Sequence, residues 1–266
     1  SHDTIVRVYN DATDVLAAAG QPAPPNPFDL KPTLSMLSNM AVYIPLIGAL
    51  VAIVLGHLTL AEDRSEGLGR LVFVRQPSRR DYLAGKLVAI AAVLGAVIGF
   101  SVLVSATSLV LVNHAVPSFG DLGRLLGFYA LSWLYLALFA LVGVVTVLLV
   151  RRRSLALLAA LGVWLVLTFA LPQFTSGLLP SASLNPVVNP AGTTQTFFRA
   201  TALARPISVS EQYKAVAGQV LRTAPREPAF TTALRVVPLA ASTLALAALS
   251  LWLVTRSDFS EVDDDA

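Results

Sequence analysis

Residues 36–60 read MLSNMAVYIPLIGALVAIVLGHLTL, twenty-five positions with no acid, no lysine, no arginine and a single histidine, His57. A helix needs about 20 mostly apolar residues to cross a bilayer core about 30 Å thick, where every backbone N–H and C=O must find its partner inside the segment. Four further stretches meet the same test, at 87–112, 125–150, 154–176 and 234–255. They are continuous Leu/Val/Ala runs with scattered glycine, which excludes the short alternating segments of a membrane β-barrel. The composition agrees: 55% of the 266 residues are hydrophobic and only 13% charged, about half the charge that a soluble fold carries, and the mean hydropathy is +0.70. The expected fold is therefore an all-α membrane protein, a polytopic helical bundle of five visible spans.

Positive charge orients such a bundle, because short cytoplasmic loops collect lysine and arginine. The loop after the first span carries Arg64, Arg70, Arg75, Arg79, Arg80 and Lys86, and the turn after the third carries Arg151, Arg152 and Arg153. Both are read as cytoplasmic. Alternation then places 1–35 and the long 177–233 loop outside, and 234–266 as a last span with a cytoplasmic tail. An external start requires something to carry it across, and Ser1-His2-Asp3 opens no signal sequence. The reading therefore expects a preceding span, six spans in the intact protein, both of its termini cytoplasmic, and a multi-pass location in the cell membrane. Pro22 to Pro27 reads as an extended external linker.

Several chemistries are excluded. With no cysteine, disulfides, thiolate zinc and iron–sulfur sites drop out. A net charge of +3 is too weak to argue for nucleic acid. Ion-coupled pumping needs ionisable groups inside the spans, and His57 is the one clear candidate, as a proton or metal relay or, more simply, as an interfacial histidine bonded to a neighbouring helix. Met36 and Met40 lie a helical turn apart, where thioethers could meet Cu(I), although two methionines in a membrane helix usually only pack. No nucleophile elbow, zinc helix or phosphate-cradling loop is present, so no catalytic residue and no cofactor is expected in this chain. Ala91, Gly95 and Gly99 form a small-residue ridge suited to close helix approach.

The informative stretch is 61–86, AEDRSEGLGRLVFVRQPSRRDYLAGK. Leu68, Leu71, Val72 and the stem of Arg75 share one face of a short amphipathic helix, which Pro77 would end. This loop resembles the signature of the ABC-2 (type-2 exporter) ABC transporter permeases: an acidic-Gly stretch, an apolar pair, then Pro, Ser-Arg and Gly-Lys. Chain length, the large external loop before the last span and Leu184-Asn185-Pro186 fit the same family. Within it the chain looks most like the NosY branch, which serves copper-site maturation of nitrous oxide reductase and whose span also opens from a Pro-containing helix, as at Pro45.

The resemblance implies a permease subunit that pairs with a second copy of itself and docks two cytoplasmic ABC ATPase subunits, which hold the ATP and Mg. It assigns coupling to Glu62, Asp63, Glu66, Gly67, Pro77, Arg79 and Arg80, and the interfacial end of the loop to Gly85 and Lys86, with membrane lipid around the spans. In the external loop, 193–204 and 210–222 read as short helices that an extracytoplasmic partner could engage. The competing reading is a non-transporting scaffold or sensor, which would need no ATPase. The topology is tested by a single cysteine, Ser35→Cys: an impermeant maleimide should label it from the outside, and labelling from the inside alone would overturn the orientation.

Overall fold

The computed structural model describes residues 33–65, 78–113, 118–150, 152–172, 208–223 and 228–256, and among these it contains only helices and their caps. A 3₁₀ turn, Thr33–Asn39, leads into α1 (Met40–Tyr43), a π turn (Ile44–Gly48) and α2 (Ala49–Ser65). Then follow α3 (Arg79–Asn113), α4 (Phe119–Leu149), α5 (Arg153–Leu165) with a second π turn (Val166–Ala170), α6 (Val209–Val220) and α7 (Ala229–Arg256). Five helical segments are long and apolar enough to cross a membrane: Leu37–Glu62, Arg79–Leu111, Phe119–Leu149, Arg153–Ala170 and Phe230–Arg256. These are the five spans read from hydropathy.

The boundaries differ in one informative place. The second helix starts at Arg79, well before residue 87, because Ser78 caps it: the Ser78 hydroxyl accepts the Asp81 N–H at 3.1 Å and donates to the Asp81 carboxylate at 2.6 Å. Ser118 does the same for α4 with Asp121, and Ser208 accepts the Glu211 N–H at the start of α6. Each is an N-cap serine followed three residues later by an acid, satisfying N–H groups that the first turn leaves open. The 35 residues of α3 span roughly 50 Å at about 1.5 Å per residue, far more than the bilayer core. The helix therefore exceeds the length a span needs, and the expected coupling loop 61–86 begins and ends as helix. The stretch 66–77 between these ends lies outside the described residues, as do the expected linker 22–27 and helix 193–204.

The helix α4 is the centre of the bundle. It touches α2, α3, α5, α6 and α7, and 83% of its most apolar window is buried, against 11% for the corresponding windows of α3 and α7. The contact with α2 is backbone against backbone. A Cβ built on Gly56 would fall on the Ala140 carbonyl, and one on Gly143 would fall on the Ile53 carbonyl, with the His57 nitrogen 2.9 Å away. Apolar side chains gain little by leaving lipid for a neighbouring helix, so approach this close, with its dispersion contacts, is what holds two spans together. The expected ridge on α3 is only partly used: the Trp133 indole donates to the Ala91 carbonyl at 3.0 Å and lies 3.7 Å from a Cβ built on Gly95, whereas Gly99 meets nothing within 4 Å.

Several hydroxyls within the spans bond to their own helix, as in Thr59 to Leu55, Ser101 to Val97, Thr107 to Leu103 and Thr243 to Leu239. Replacing Gly56 or Gly143 by alanine should therefore destabilise the protein by about 1–3 kcal/mol through overpacking. Gly99→Ala, in open space, should be neutral or stabilising by up to about 1 kcal/mol. Thermal unfolding in detergent distinguishes the two groups.

Candidate functional site

The α2–α3 end of the bundle carries most of the residues assigned to coupling. Leu60 and Ala61 are buried at the last turns of α2, and Leu83 is buried in α3. Between these anchors, Lys86 Nζ donates to the Thr59 carbonyl at 3.0 Å and stands 5.7 Å over the Tyr82 ring. The two helices that bracket 66–77 are thus tied together at their base. Beyond the tie, Glu62 is exposed on α2, and Arg79 and Arg80 are exposed in the first turn of α3. A helix N-terminus, where the dipole is positive, does not by itself favour cations. Gly85 is exposed, with nothing within 4 Å of a built Cβ. The backbone of Asp63 is helical; its side chain, and Glu66, Gly67 and Pro77, lie outside what the structure describes.

His57 is buried against a neighbouring helix. It is 2% exposed, packed into the α2–α4 crossing, and its Nδ1 has no hydrogen-bond partner among the described residues. Met40 is 43% exposed, and the Met36 side chain lies outside the description. No group of three or more His, Cys, Asp or Glu able to hold a metal occurs among the described residues.

The opposite end holds a polar core that sequence reasoning missed. The helix α6 is seated against α4, α7 and both π turns' neighbourhood, with Tyr213 fully buried. The Tyr213 hydroxyl pairs with Ser132 at 2.9 Å, Tyr135 pairs with Ser210 at 3.0 Å, and the two tyrosine rings lie 4.6 Å apart. Burial pushes the Tyr213 hydroxyl well above its ordinary range, outweighing the opposing effect of the Ser132 bond, so it stays neutral. A third pair, Ser105 with Tyr129, joins α3 to α4 at 2.5 Å.

The π turns supply two further partners. In each, an N–H reaches back five residues, Ala49 to Ile44 and Leu171 to Val166. The next carbonyl, of Pro45 or Leu167, thereby loses its usual helical donor. Pro45 accepts the Trp164 indole at 3.2 Å, and Leu167 accepts the Ser210 hydroxyl at 3.1 Å. Two signals were present in the sequence, the Ser208–Glu211 cap and the Tyr/Ser content of α4, but neither says that α6 is seated in the bundle.

This arrangement, four spans around a central fifth with charged helix ends on one side and a seated helix on the other, can be set beside known families. Residues 8–259 match the family described as ABC-2 family transporter protein. The chain belongs to that family. No curated protein matches it. An ABC-2 chain is the permease component of an ABC transporter: a transmembrane part, not itself the ATPase, that associates with ABC ATPase subunits. The expected identity is thereby established at the level of the family, and the exposed α2–α3 end becomes the candidate surface for that association.

The seating of α6 in this ABC-2 permease is testable. Ser132→Ala leaves the Tyr213 hydroxyl buried without its partner and should cost about 1–3 kcal/mol. Tyr213→Phe removes the phenol hydroxyl and leaves Ser132 still donating to the Phe128 carbonyl, so it should cost less. Thermal unfolding of the two variants in one detergent gives the comparison.

Proposed function

We propose that the chain is the permease half of an ATP-driven exporter, working as a homodimer in the cytoplasmic membrane. Two separate ATPase subunits, which hold the ATP and Mg, dock on the surface made by Ala61–Ser65, 66–77 and Arg79–Lys86. The observation that carries this reading is the paired arms: α2 ends and α3 begins in charged turns, and the two helices are joined by the Lys86–Thr59 bond. A segment held between two tied helices transmits a push to both as a rigid body. Glu62, Arg79 and Arg80 supply exposed charge on those arms.

From there the displacement has a stiff route. The backbone contact at Gly56 and Gly143 carries α2's motion into α4, and the Tyr135–Ser210 and Tyr213–Ser132 pairs carry it into α6. Nucleotide-driven closure at one end would thus move the seated helix at the other, where a substrate leaves or an extracytoplasmic partner engages. The orientation is supported by cation placement: Arg79, Arg80, Lys86, Arg152, Arg153 and Arg256 gather at the coupling end, as the positive-inside tendency requires.

The test is purification of the full-length protein in mild detergent with identification of what accompanies it and an ATP-hydrolysis assay. A Walker-motif ATPase in equal amount is the expected result. Glu62→Lys and Glu66→Lys should reduce its recovery on the order of tenfold while leaving membrane insertion intact. A protein that purifies alone, or with only an external partner, would replace this reading with that of a scaffold.

A further inference from the structure

Between the first half of α4, the C-terminal end of α6 and the start of α7 lies a cavity of about 1110 Å³. Gly120, Gly123 and Gly127 line it together with Arg124 and Leu134, at the three- and four-residue spacing of one helix face. These glycines differ in kind from Gly56 and Gly143. A Cβ on Gly123 would meet nothing within 4 Å, and one on Gly127 would meet only Val220 Cγ1, at 4.0 Å. They keep space open rather than permit a helix crossing. From Gly120 to Leu134 α4 advances about 20 Å, so the cavity runs from the end of the span well into its apolar part.

Leu134, Val220 and Val236 supply apolar lining, and Arg124, half-buried, and Arg222, exposed, are the cations of the lining. Arg124 reaches Asp121 only at 3.5 Å, while the other oxygen of that carboxylate accepts the Ser118 hydroxyl at 2.7 Å. A guanidinium has five N–H donors in a fork that matches phosphate, so most of its capacity remains. Arg222 occupies the residue just past the end of α6 with φ 58, inside a closing turn in which Thr223 N–H bonds to Gly218 and Arg222 N–H to Gln219. Glycine is the residue that position favours. An arginine held there at a conformational cost places a cation in the lining.

We propose that this cavity binds one anionic lipid of the surrounding membrane, its headgroup phosphate between Arg124 and Arg222 and its acyl chain along the Gly123–Leu134 face of α4 against Val220 and Val236. The two arginines select against a zwitterionic headgroup, and the apolar wall selects against a soluble anion. The volume slightly exceeds the roughly 300–1,000 Å³ of drug-sized pockets, as an extended acyl chain requires. The site lies at the end of the bundle opposite the proposed ATPase surface and requires only that the spans sit in a bilayer, so it stands or falls separately from ATP coupling.

The experiment uses the full chain without any ATPase, delipidated in detergent, equilibrated with equimolar phosphatidylglycerol and phosphatidylcholine, and examined by native mass spectrometry. Phosphatidylglycerol should be retained with a preference on the order of tenfold. In the double variant Arg124→Gln with Arg222→Gly the preference should fall to about unity, with thermal stability no lower, since Arg222→Gly relieves the left-handed backbone. Gly127→Leu should fill the cavity and abolish retention of both lipids. Preference that persists in the double variant or in Gly127→Leu would overturn the proposal. So would competition by glycerol phosphate as effective as that by the lipid, which marks a soluble-anion site. A cysteine at Ala233 that stays closed to maleimide in lipid-free protein would show the cavity filled by the chain itself, and would equally overturn it.

Discussion

Everything in this bundle hangs on the crossing of α2 and α4 at Gly56 and Gly143. In a bilayer, apolar side chains gain little by leaving lipid for a neighbouring helix, so association rests on close packing and on a few polar bonds. Where two helices lack a Cβ at the crossing, carbonyls and amides of one come against the other, and the pair behaves as one body. His57 is buried as a consequence: its own backbone nitrogen is part of the contact. Such a histidine belongs to the packing of the pair, and its burial needs no metal or proton path to account for it.

The helices α3, α5 and α6 are attached to this pair by specific polar bonds, and α7 packs on α4 with Leu239 and Val254 buried in the apolar core. Trp133 reaches the Ala91 carbonyl of α3, Trp164 reaches Pro45, and the tyrosines of α4 and α6 meet serines on the opposite helix. The π turns make two bonds available, Trp164 to Pro45 and Ser210 to Leu167, by displacing a carbonyl from the helical ladder. A wide turn in a membrane helix is tolerated only when the displaced group finds a partner, and here the partners come from other elements. The fault in one helix becomes the attachment point for the next. Through these attachments α6 is a structural member of the bundle and not a surface flap, which gives the two ends a continuous mechanical connection.

Glycine accordingly has two uses in α4. At Gly143 its lack of a side chain lets a backbone in; along Gly120, Gly123 and Gly127 it keeps one face of the helix open to a cavity lined in part by two arginines. The same residue type, in the same helix, makes a contact at one end and a vacancy at the other. Only the neighbours distinguish them.

The number of spans, their limits to within a turn or two, and the helical class followed from hydropathy alone, because the bilayer requires a fixed length of apolar helix and tolerates nothing else. The charged stretch between the first two spans was legible as such, and the caps at Ser78, Ser118 and Ser208 were already written as serine followed by an acid three residues on. What hydropathy left open is which way each helix turns. Lipid and a neighbouring helix are equally apolar, so Leu, Val and Ala look the same on either side, and neither the central place of α4 nor the partial use of the Ala91–Gly95–Gly99 ridge could be read. The seating of α6, the exchange of carbonyls at the π turns and the cavity beside the glycines were decided by the tertiary structure. Each depends on residues far apart in the chain meeting at one depth, and no local pattern encodes that meeting.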